Sequence, residues 1–345
     1  MLPLGRPGAG RAPAGWDDGR VATSDTAAGA ATDVFEDHRS LLTGVAYRML
    51  GRVTDAEDVV QEAWLRWSGA DREAVREPRG YLVRITTRLA IDRLRQAQAR
   101  HESYVGPWLP EPIATDFGHT VPDTAERAVL VESVSLAVLV VLESLSPLER
   151  AVFVLREAFG FPYGEIATAL DRTEAAVRQL AGRARRHVDE RKPRFEVDQR
   201  QRRDLTERFL AAAQGGDLEG LLALLAPDVR LIGDTDGKAK SPLRIMEAAD
   251  KIARFLVAVG QDIAVLDPEL IFTELNGGPA MILFSAGRPD TAVSLDIAEG
   301  RIQAIYIMRN PDKLTHLTEL RPGDGGSERD GGSEPDGGSE PDGDQ

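Results

Sequence analysis

The spacing of apolar residues changes period along the chain, and each period predicts a different kind of element. Between Val34 and Leu94 the residues Phe35, His38, Leu41, Leu42, Val45 and Met49 recur three and four positions apart, which predicts an amphipathic helix. Asp55–Trp67 predicts a second helix. At about 100° per residue, Ala56, Val59, Val60, Ala63 and Trp67 share one arc, and Asp55, Asp58 and Glu62 lie on the other with Gln61. Pro78–Gly80 then interrupts the chain, and a third helix is predicted over Tyr81–Gln98. On it Arg84, Arg88 and Arg95 fall within about 40° of one another, a stripe suited to phosphates. Tyr81, at its start, reads either as a core ring or as a platform on which an unpaired base can stack.

A second helical region spans about Thr124 to Arg194. Ser146-Pro147-Leu148-Glu149 combines an N-cap serine, a proline in the first turn and a capping-box glutamate, so a helix starts at Pro147 and turns Val152, Phe153 and Leu155 inward. A short helix around Gly164–Leu170 follows, then the turn Asp171-Arg172-Thr173 and a helix from Glu174, with Thr173 as its N-cap. In the last helix Val177, Leu180, Ala181, Ala184 and Val188 share the inner arc, while Ala175, Arg178, Gln179, Gly182 and Arg186 face away. This is the pattern of a helix-turn-helix, whose second helix enters a major groove. There arginine pairs with guanine and glutamine with adenine. A purely structural helical hairpin is the plainer alternative.

The remaining periodicity is mixed. Asp204–Gln214, Asp217–Ala226 and Ser241–Val259 read as helices, and Ile263–Leu266, Glu269–Glu274, Ala280–Ser285, Thr291–Ile297 and Arg301–Met308 as strands. Glu299-Gly300 marks a hairpin. Helices followed by antiparallel strands argue for α+β packing. Catalysis is poorly supported, since the one histidine beyond His187 is His316 and no His–Asp pair is visible. Asp234 and Asp236 read as turn formers, and Lys238 and Lys313 as surface charges. Trp108, in a proline-rich segment, reads as a core aromatic or as an anchor in another domain's groove.

Charge sharpens this picture. Lysine and arginine number 42 against 56 acids, a formal charge of −14, yet Gly323–Gln345 holds eight acids and one arginine and so carries half of it. That segment repeats GGSExD from Gly325, Gly331 and Gly337 and is expected to be a disordered acidic tail over 318–345, as is a Gly/Ala/Pro-rich extension over 1–32. By contrast Arg76–Arg100 has seven basic and two acidic residues, and Arg172–Arg194 eight and three, a distribution that suits nucleic acid. The chain has no cysteine, which excludes disulfides, thiolate metal sites and a cysteine nucleophile. No apolar run reaches the length of a membrane span, so the expectation is a cytoplasmic protein.

These segments carry a family resemblance. The chain resembles the sigma-70 initiation factors of the extracytoplasmic-function group: DAEDVVQEAWLRW (Asp55–Trp67) is similar to the polymerase-docking helix of region 2, and GYLVRITTRLAIDRLR (Gly80–Arg95) to the element that melts and reads the −10 segment. YGEIATALDRTEAAVRQLAGRAR (Tyr163–Arg185) is similar to the −35-reading helix-turn-helix of region 4. WLPEP (Trp108–Pro112) and NPDKL (Asn310–Leu314) match the SigJ-like class with a C-terminal SnoaL-like domain, and DTDGK (Asp234–Lys238) stands where that class has DGGGK. The resemblance covers Val34 to about Leu317.

It implies a multidomain protein, with two all-α DNA- and polymerase-binding domains followed by an α+β SnoaL-like (NTF2-like) cone. Region 2 falls at 33–100, a linker at 101–123, region 4 at 124–194 and the regulatory cone at 200–317. The implied docking residues for core RNA polymerase are Asp55, Asp58, Gln61 and Glu62. Those for −10 DNA are Arg79, Tyr81, Arg84, Arg88 and Arg95, and those for −35 DNA are Arg172, Thr173, Ala175, Arg178, Gln179, Arg183 and Arg186. Trp108, Leu109, Pro110, Asp234, Asp236, Lys238, Asn310, Pro311, Asp312, Lys313 and Leu314 are implied as interdomain contacts. The implied partners are core polymerase and promoter DNA, with no membrane, no separate anti-sigma factor required, no metal and no cofactor; a small-molecule ligand of the cone is left open. Two other readings remain: a helix-turn-helix regulator with a ligand-sensing cone, and an enzyme in the cone.

Overall fold

The computed structural model describes residues 19–71, 74–101, 104–115, 135–190, 199–266 and 269–320. The first 18 residues, the linker from 116 to 123, the start of the second helical region at 124–134 and the expected tail from 321 lie outside them, while residues 318–320, expected in that tail, belong to a 3₁₀ turn over Thr315–Leu320.

Three helices form the first unit: α1 (Gly19–Leu50), α2 (Val53–Ser68) and α3 (Pro78–His101). Residues 19–32, expected to be without structure, belong to α1 instead. They hold five alanines and no proline, so nothing in the segment forces the helix to break, although no apolar stripe marks it. The helix is fastened there by Trp67, whose indole Nε1 donates to the Ala31 carbonyl at 2.9 Å. Pro78–Gly80, expected as a break, is the first turn of α3, because a proline at the start of a helix forfeits no intrahelical bond.

The second unit holds α4 (Leu136–Leu142), α5 (Pro147–Phe153, continued by a π turn at Val154–Ala158), α6 (Tyr163–Leu170) and α7 (Glu174–Asp189). The capping box forms at Ser146 and Glu149. The turn between α6 and α7 passes through Asp171 at φ 54°, and Thr173 accepts from Ala176 N. Val177, Ala181, Ala184 and Val188 are buried as their arc requires, with Leu180 half-buried. The two helical units share one apolar core.

The third unit is α+β. Two helices, α8 (Gln199–Gly215) and α9 (Leu218–Leu224), precede β1 (Leu225–Asp234), β2 (Met246–Glu247) and α10 (Ala249–Leu266). Then come β3 (Glu269–Leu275), β4 (Gly278–Ser285), β5 (Arg288–Ala298) and β6 (Arg301–Met308), and short 3₁₀ turns at Pro311–Lys313 and Thr315–Leu320. The sheet runs β2-β1-β6-β5-β4-β3, antiparallel except for β1 beside β6.

Several expectations are corrected here. The helix at Asp217–Ala226 stops at Leu224, and the strand β1 was not foreseen, since Pro227 lies within it. A register shift against β6 between Leu225 and Arg230 absorbs the missing donor. Ser241–Ala248 is largely irregular, and Ile263–Leu266 closes α10 rather than forming a strand. Burial of Ile252, Ala253, Leu256 and Gly260 at helical spacing outweighs the β-prone sequence of its end. Gly260 is required at the crossing with α8, where a Cβ would stand 2.2 Å from the Ala213 carbonyl oxygen. The Glu299-Gly300 hairpin forms as expected, both residues at positive φ.

One face of the sheet, with Leu231, Met281, Leu283, Leu295 and Ile305, packs on α8–α10. The other, with Ile232, Ile282, Phe284, Ala292 and Met308, receives Leu109 and Ala114 of the linker and Leu136 and Ala137 of α4. The cone is therefore seated on the linker and on the second helical unit.

Candidate functional site

The outward face of α2 carries Asp58, Gln61 and Glu62 exposed and Asp55 half-buried. Glu62 pairs with Arg66 at 2.7 Å, and Asp58 with Arg93 of α3 at 2.6 Å. Leu65, 62 % exposed, lies one turn beyond Gln61 and Glu62 on the same face. The sequence reading overlooked it, although its spacing was legible.

The basic stripe of α3 is exposed at Arg88 and Arg95 and half-buried at Arg84. The Arg88 Nε donates to the Ala169 carbonyl at 3.0 Å, at the C-terminal end of α6. The Arg79 guanidinium lies 4.3 Å from the centre of the Phe161 ring, and that of Arg84 5.2 Å from the Tyr81 ring. Tyr81 is half-buried and packs on Trp67, ring centroids 5.9 Å apart. Arg95 pairs with Asp92 at 3.1 Å. A cleft of about 710 Å³ remains between the units, walled by Arg76, Arg79, Tyr81 and Arg84 on one side and Phe161 and Glu165 on the other. The second unit thus touches two of the residues expected to hold the −10 strand, Arg79 and Arg88, while the Trp67–Tyr81, Arg84–Tyr81 and Arg95–Asp92 contacts stay within the first unit. A buried cation also lies at the boundary: Arg150, fully buried, donates its Nε to the Arg48 carbonyl of the first unit at 3.2 Å and pairs with Glu143 of its own unit at 2.6 Å.

The helix-turn-helix presents its outer face freely. Arg172, Ala175, Arg178, Gln179, Arg183 and Arg186 are all exposed. Glu174 pairs with Arg178, whose guanidinium also stacks 4.7 Å from the Tyr163 ring. Arg183 pairs with Glu149 at 2.8 Å, and Arg186 Nε donates to the Gly182 carbonyl at 3.3 Å.

A clamp joins the cone to the linker. Asp234, expected as a turn former, ends β1 fully buried, and Lys313, expected at the surface, is 2 % exposed. The Lys313 ammonium donates to Asp234 Oδ2 at 2.7 Å and to the Leu109 carbonyl at 2.6 Å. The same carboxylate accepts from Leu109 N at 2.7 Å and from the Tyr104 hydroxyl at 2.5 Å, while Asn310 Nδ2 donates to that hydroxyl at 2.7 Å. The turn-former and surface readings fail for one reason, since each charge is paired with the other in the interior and hydrogen-bonded to the linker, where the resemblance implied interdomain contacts. The ammonium stands 4.0 Å from the centre of the Trp108 ring. Burial lowers Lys313 to about 8 despite the opposing charge of Asp234, and burial together with the hydrogen bond to Asp234 raises Tyr104. Asp236, at φ 49°, does form a turn, and Lys238 bridges it and Asp312 at 3.3 and 2.5 Å. Leu109, Pro110 and Leu314 are buried and Pro311 exposed.

The other side of the linker is fixed to the first unit. Trp108 lies over the α1–α2 turn at Gly51, where a Cβ would sit 2.8 Å from its ring. Glu111 N donates to the Gly51 carbonyl at 2.7 Å, Val53 N to the Glu111 carboxylate at 3.0 Å, and the Tyr47 hydroxyl to the Glu111 carbonyl at 2.9 Å. Asn276, at the β3–β4 turn, donates to the Tyr47 hydroxyl at 2.8 Å and accepts from Ile113 N at 3.1 Å. Tyr47, Tyr104, Glu111 and Asn276 escaped the sequence reading because they meet only in the fold.

Comparison with known proteins agrees with this geometry. Residues 34–100 match the model of sigma-70 region 2, and residues 135–188 that of sigma-70 region 4. The chain is 38 % identical over 293 residues to the ECF RNA polymerase sigma factor SigJ of Mycobacterium tuberculosis, covering 81 % of this chain and 92 % of that protein. It is 34 % identical over 284 residues to the probable ECF RNA polymerase sigma factor SigI of the same species, covering 81 % and 93 %. The crystal structure of the M. tuberculosis SigJ superposes with a TM-score of 0.65 at 34 % identity, over 82 % of this chain and 98 % of that one. The chain belongs to the ECF RNA polymerase sigma factors, in the SigJ-like class. It acts with RNA polymerase in promoter recognition and is not an enzyme, and its third unit is the SnoaL-like (NTF2-like) cone. Among the described residues, no helix is long and apolar enough to cross a membrane.

Proposed function

We propose that this sigma factor divides promoter recognition among three surfaces and that its cone regulates it by holding the linker. The α2 face of Asp55, Asp58, Gln61 and Glu62 docks on core polymerase. Arg79, Tyr81, Arg84, Arg88 and Arg95 hold the melted −10 strand. Arg172, Thr173, Ala175, Arg178, Gln179, Arg183 and Arg186 engage the −35 duplex, with base contacts from Arg178 and Gln179. The protein works in the cytoplasm and needs no separate anti-sigma factor.

The observation that carries the regulatory part is the Lys313–Asp234 clamp on Leu109, in a linker whose other side is bonded to Gly51 and Val53. These contacts hold the linker between the −10 and −35 readers while the two are packed together, so the cone would control how far they part to meet promoter spacing. A tethered domain acts at an effective concentration commonly near millimolar, so a modest interface holds a compact state. Run-off transcription with core polymerase tests this. Trp108→Ala, and separately deletion of 310–314, are expected to change transcription several-fold and to enlarge the radius of gyration, whereas removal of 323–345 does little. Unchanged transcription and scattering from both variants would refute cone regulation.

A further inference from the structure

The face of α2 holds an arginine that belongs to another helix. In the first unit Arg39–Glu36, Arg66–Glu62, Arg95–Asp92 and Arg52–Asp55 join positions three or four residues apart, the ordinary solvated pairs of a helix surface. Arg93 differs. It crosses from α3 to α2, its guanidinium 2.6 Å from Asp58 Oδ2 and 3.9 Å from Asp55 Oδ1. It lies about 140° around α3 from Arg88 and about 180° from Arg84, on the side away from the basic stripe. Its direction is therefore set by α2, not by DNA.

We infer that Arg93 is a positioning residue for polymerase docking, acting through Asp58. This rests on the reading of the α2 face as the docking surface. Asp58 keeps 61 % of its side chain exposed while Arg93, at 31 %, reaches it from the edge of the helix pair. An ionised carboxylate has about four lone-pair sites, so one guanidinium contact leaves room for a basic group of the partner. Holding the carboxylate beforehand removes the ordering cost that binding would otherwise meet, worth about two- to tenfold in affinity for one side chain. The same pair ties α2 to α3, so the docking carboxylate keeps a fixed place relative to the −10 helix.

The test is the affinity of the full chain for core polymerase, without DNA, in wild type, Arg93→Ala, Arg93→Lys, Asp58→Ala and the Arg93→Ala/Asp58→Ala double variant. Arg93→Ala is expected to weaken binding about two- to tenfold, with Arg93→Lys recovering part of the loss. In the Asp58→Ala background Arg93→Ala should change nothing further, a coupling that a general structural role would not produce. Unchanged or tighter binding by Arg93→Ala, or an equal loss in the Asp58→Ala background, overturns the inference. If Asp58→Ala itself left affinity unchanged, the docking reading of α2 would fail instead; a loss with Asp58→Ala but none with Arg93→Ala sinks the positioning role alone.

Discussion

Lys313 and Asp234, 79 positions apart, form an ion pair of 2.7 Å with both side chains sealed from solvent. A buried pair contributes little net stability over an apolar substitute, yet removing one partner strands the other charge at a cost of about 3–5 kcal/mol. Lys313→Met should therefore lower the melting temperature sharply, whereas Lys313→Met combined with Asp234→Leu should recover part of the loss. Burial sets Lys313 at about 8, below its ordinary value of 10.5. The folded protein then releases that proton first, and between these values the unfolded chain binds more protons, so this contribution to stability rises with pH from about 8 to 10. The difference in melting temperature between wild type and Lys313→Met, followed over that range, isolates it from the tyrosines; a pH-independent difference would refute the assignment.

Asp296 makes the opposite prediction. It lies mostly buried on β5, and burial raises it from 3.8 to about 6, only partly countered by Arg202 and Arg230. A raised carboxyl binds its proton more tightly in the folded state, so its contribution is full below about pH 4 and is lost as pH rises through 6. Asp296→Asn is expected to stabilise the protein at pH 7 by about 1–3 kcal/mol and to remove that fall. Melts of both proteins from pH 4 to 8 check it.

The helix-turn-helix was legible because its signals are local. The Ser146–Glu149 box, the Thr173 cap and the apolar arc of α7 all lie within one or two turns of chain. Trp108 could be singled out because a proline-rich segment offers it no helix of its own to pack into, though core aromatic and anchor stayed open. The clamp beneath it was marked only by the family resemblance, since an aspartate before a glycine-containing turn and a lysine after a proline both look like surface residues until they are paired. Strand β1 was hidden by Pro227 and the leucine-rich run before it, and the covering of α3 by α6 is a tertiary relationship with no periodic trace.

Promoter discrimination should respond differently to two arginines of α7. Arg178 stands on the exposed face beside Gln179, held by Glu174 and the Tyr163 ring, and is proposed to contact a base. A lost bidentate base contact costs about 1–3 kcal/mol, so Arg178→Ala should cut transcription and relax preference at one or two −35 base pairs. Arg186, farther along the helix and bonded to the Gly182 carbonyl, is expected to act on phosphate. Arg186→Ala should weaken all sequences alike and reduce the salt dependence of binding. Transcription from a panel of −35 variants separates the two outcomes, and full discrimination by Arg178→Ala would refute the base contact.

The carbonyl of Ala169 occupies the Arg88 guanidinium at the C-terminal end of α6, where the helix dipole is negative, so α6 fills a place on α3 suited to a phosphate. If Arg88 and Arg79 hold the −10 strand, region 4 and that strand compete for one surface, and the two units must part before melting. Parting them would expose the fully buried Arg150, whose Nε donates to the Arg48 carbonyl across the boundary, and would break the Arg79–Phe161 contact. Ala169, buried against α3, is the place to force it. Ala169→Arg adds bulk and a charge that repels Arg88, and is expected to enlarge the radius of gyration in solution. Free protein should then bind a single-stranded −10 oligonucleotide several-fold more tightly than wild type does, with the melt of region 4 showing whether the helix-turn-helix itself survives. An expanded, folded variant with no gain in strand binding would mean that α6 does not block the −10 surface.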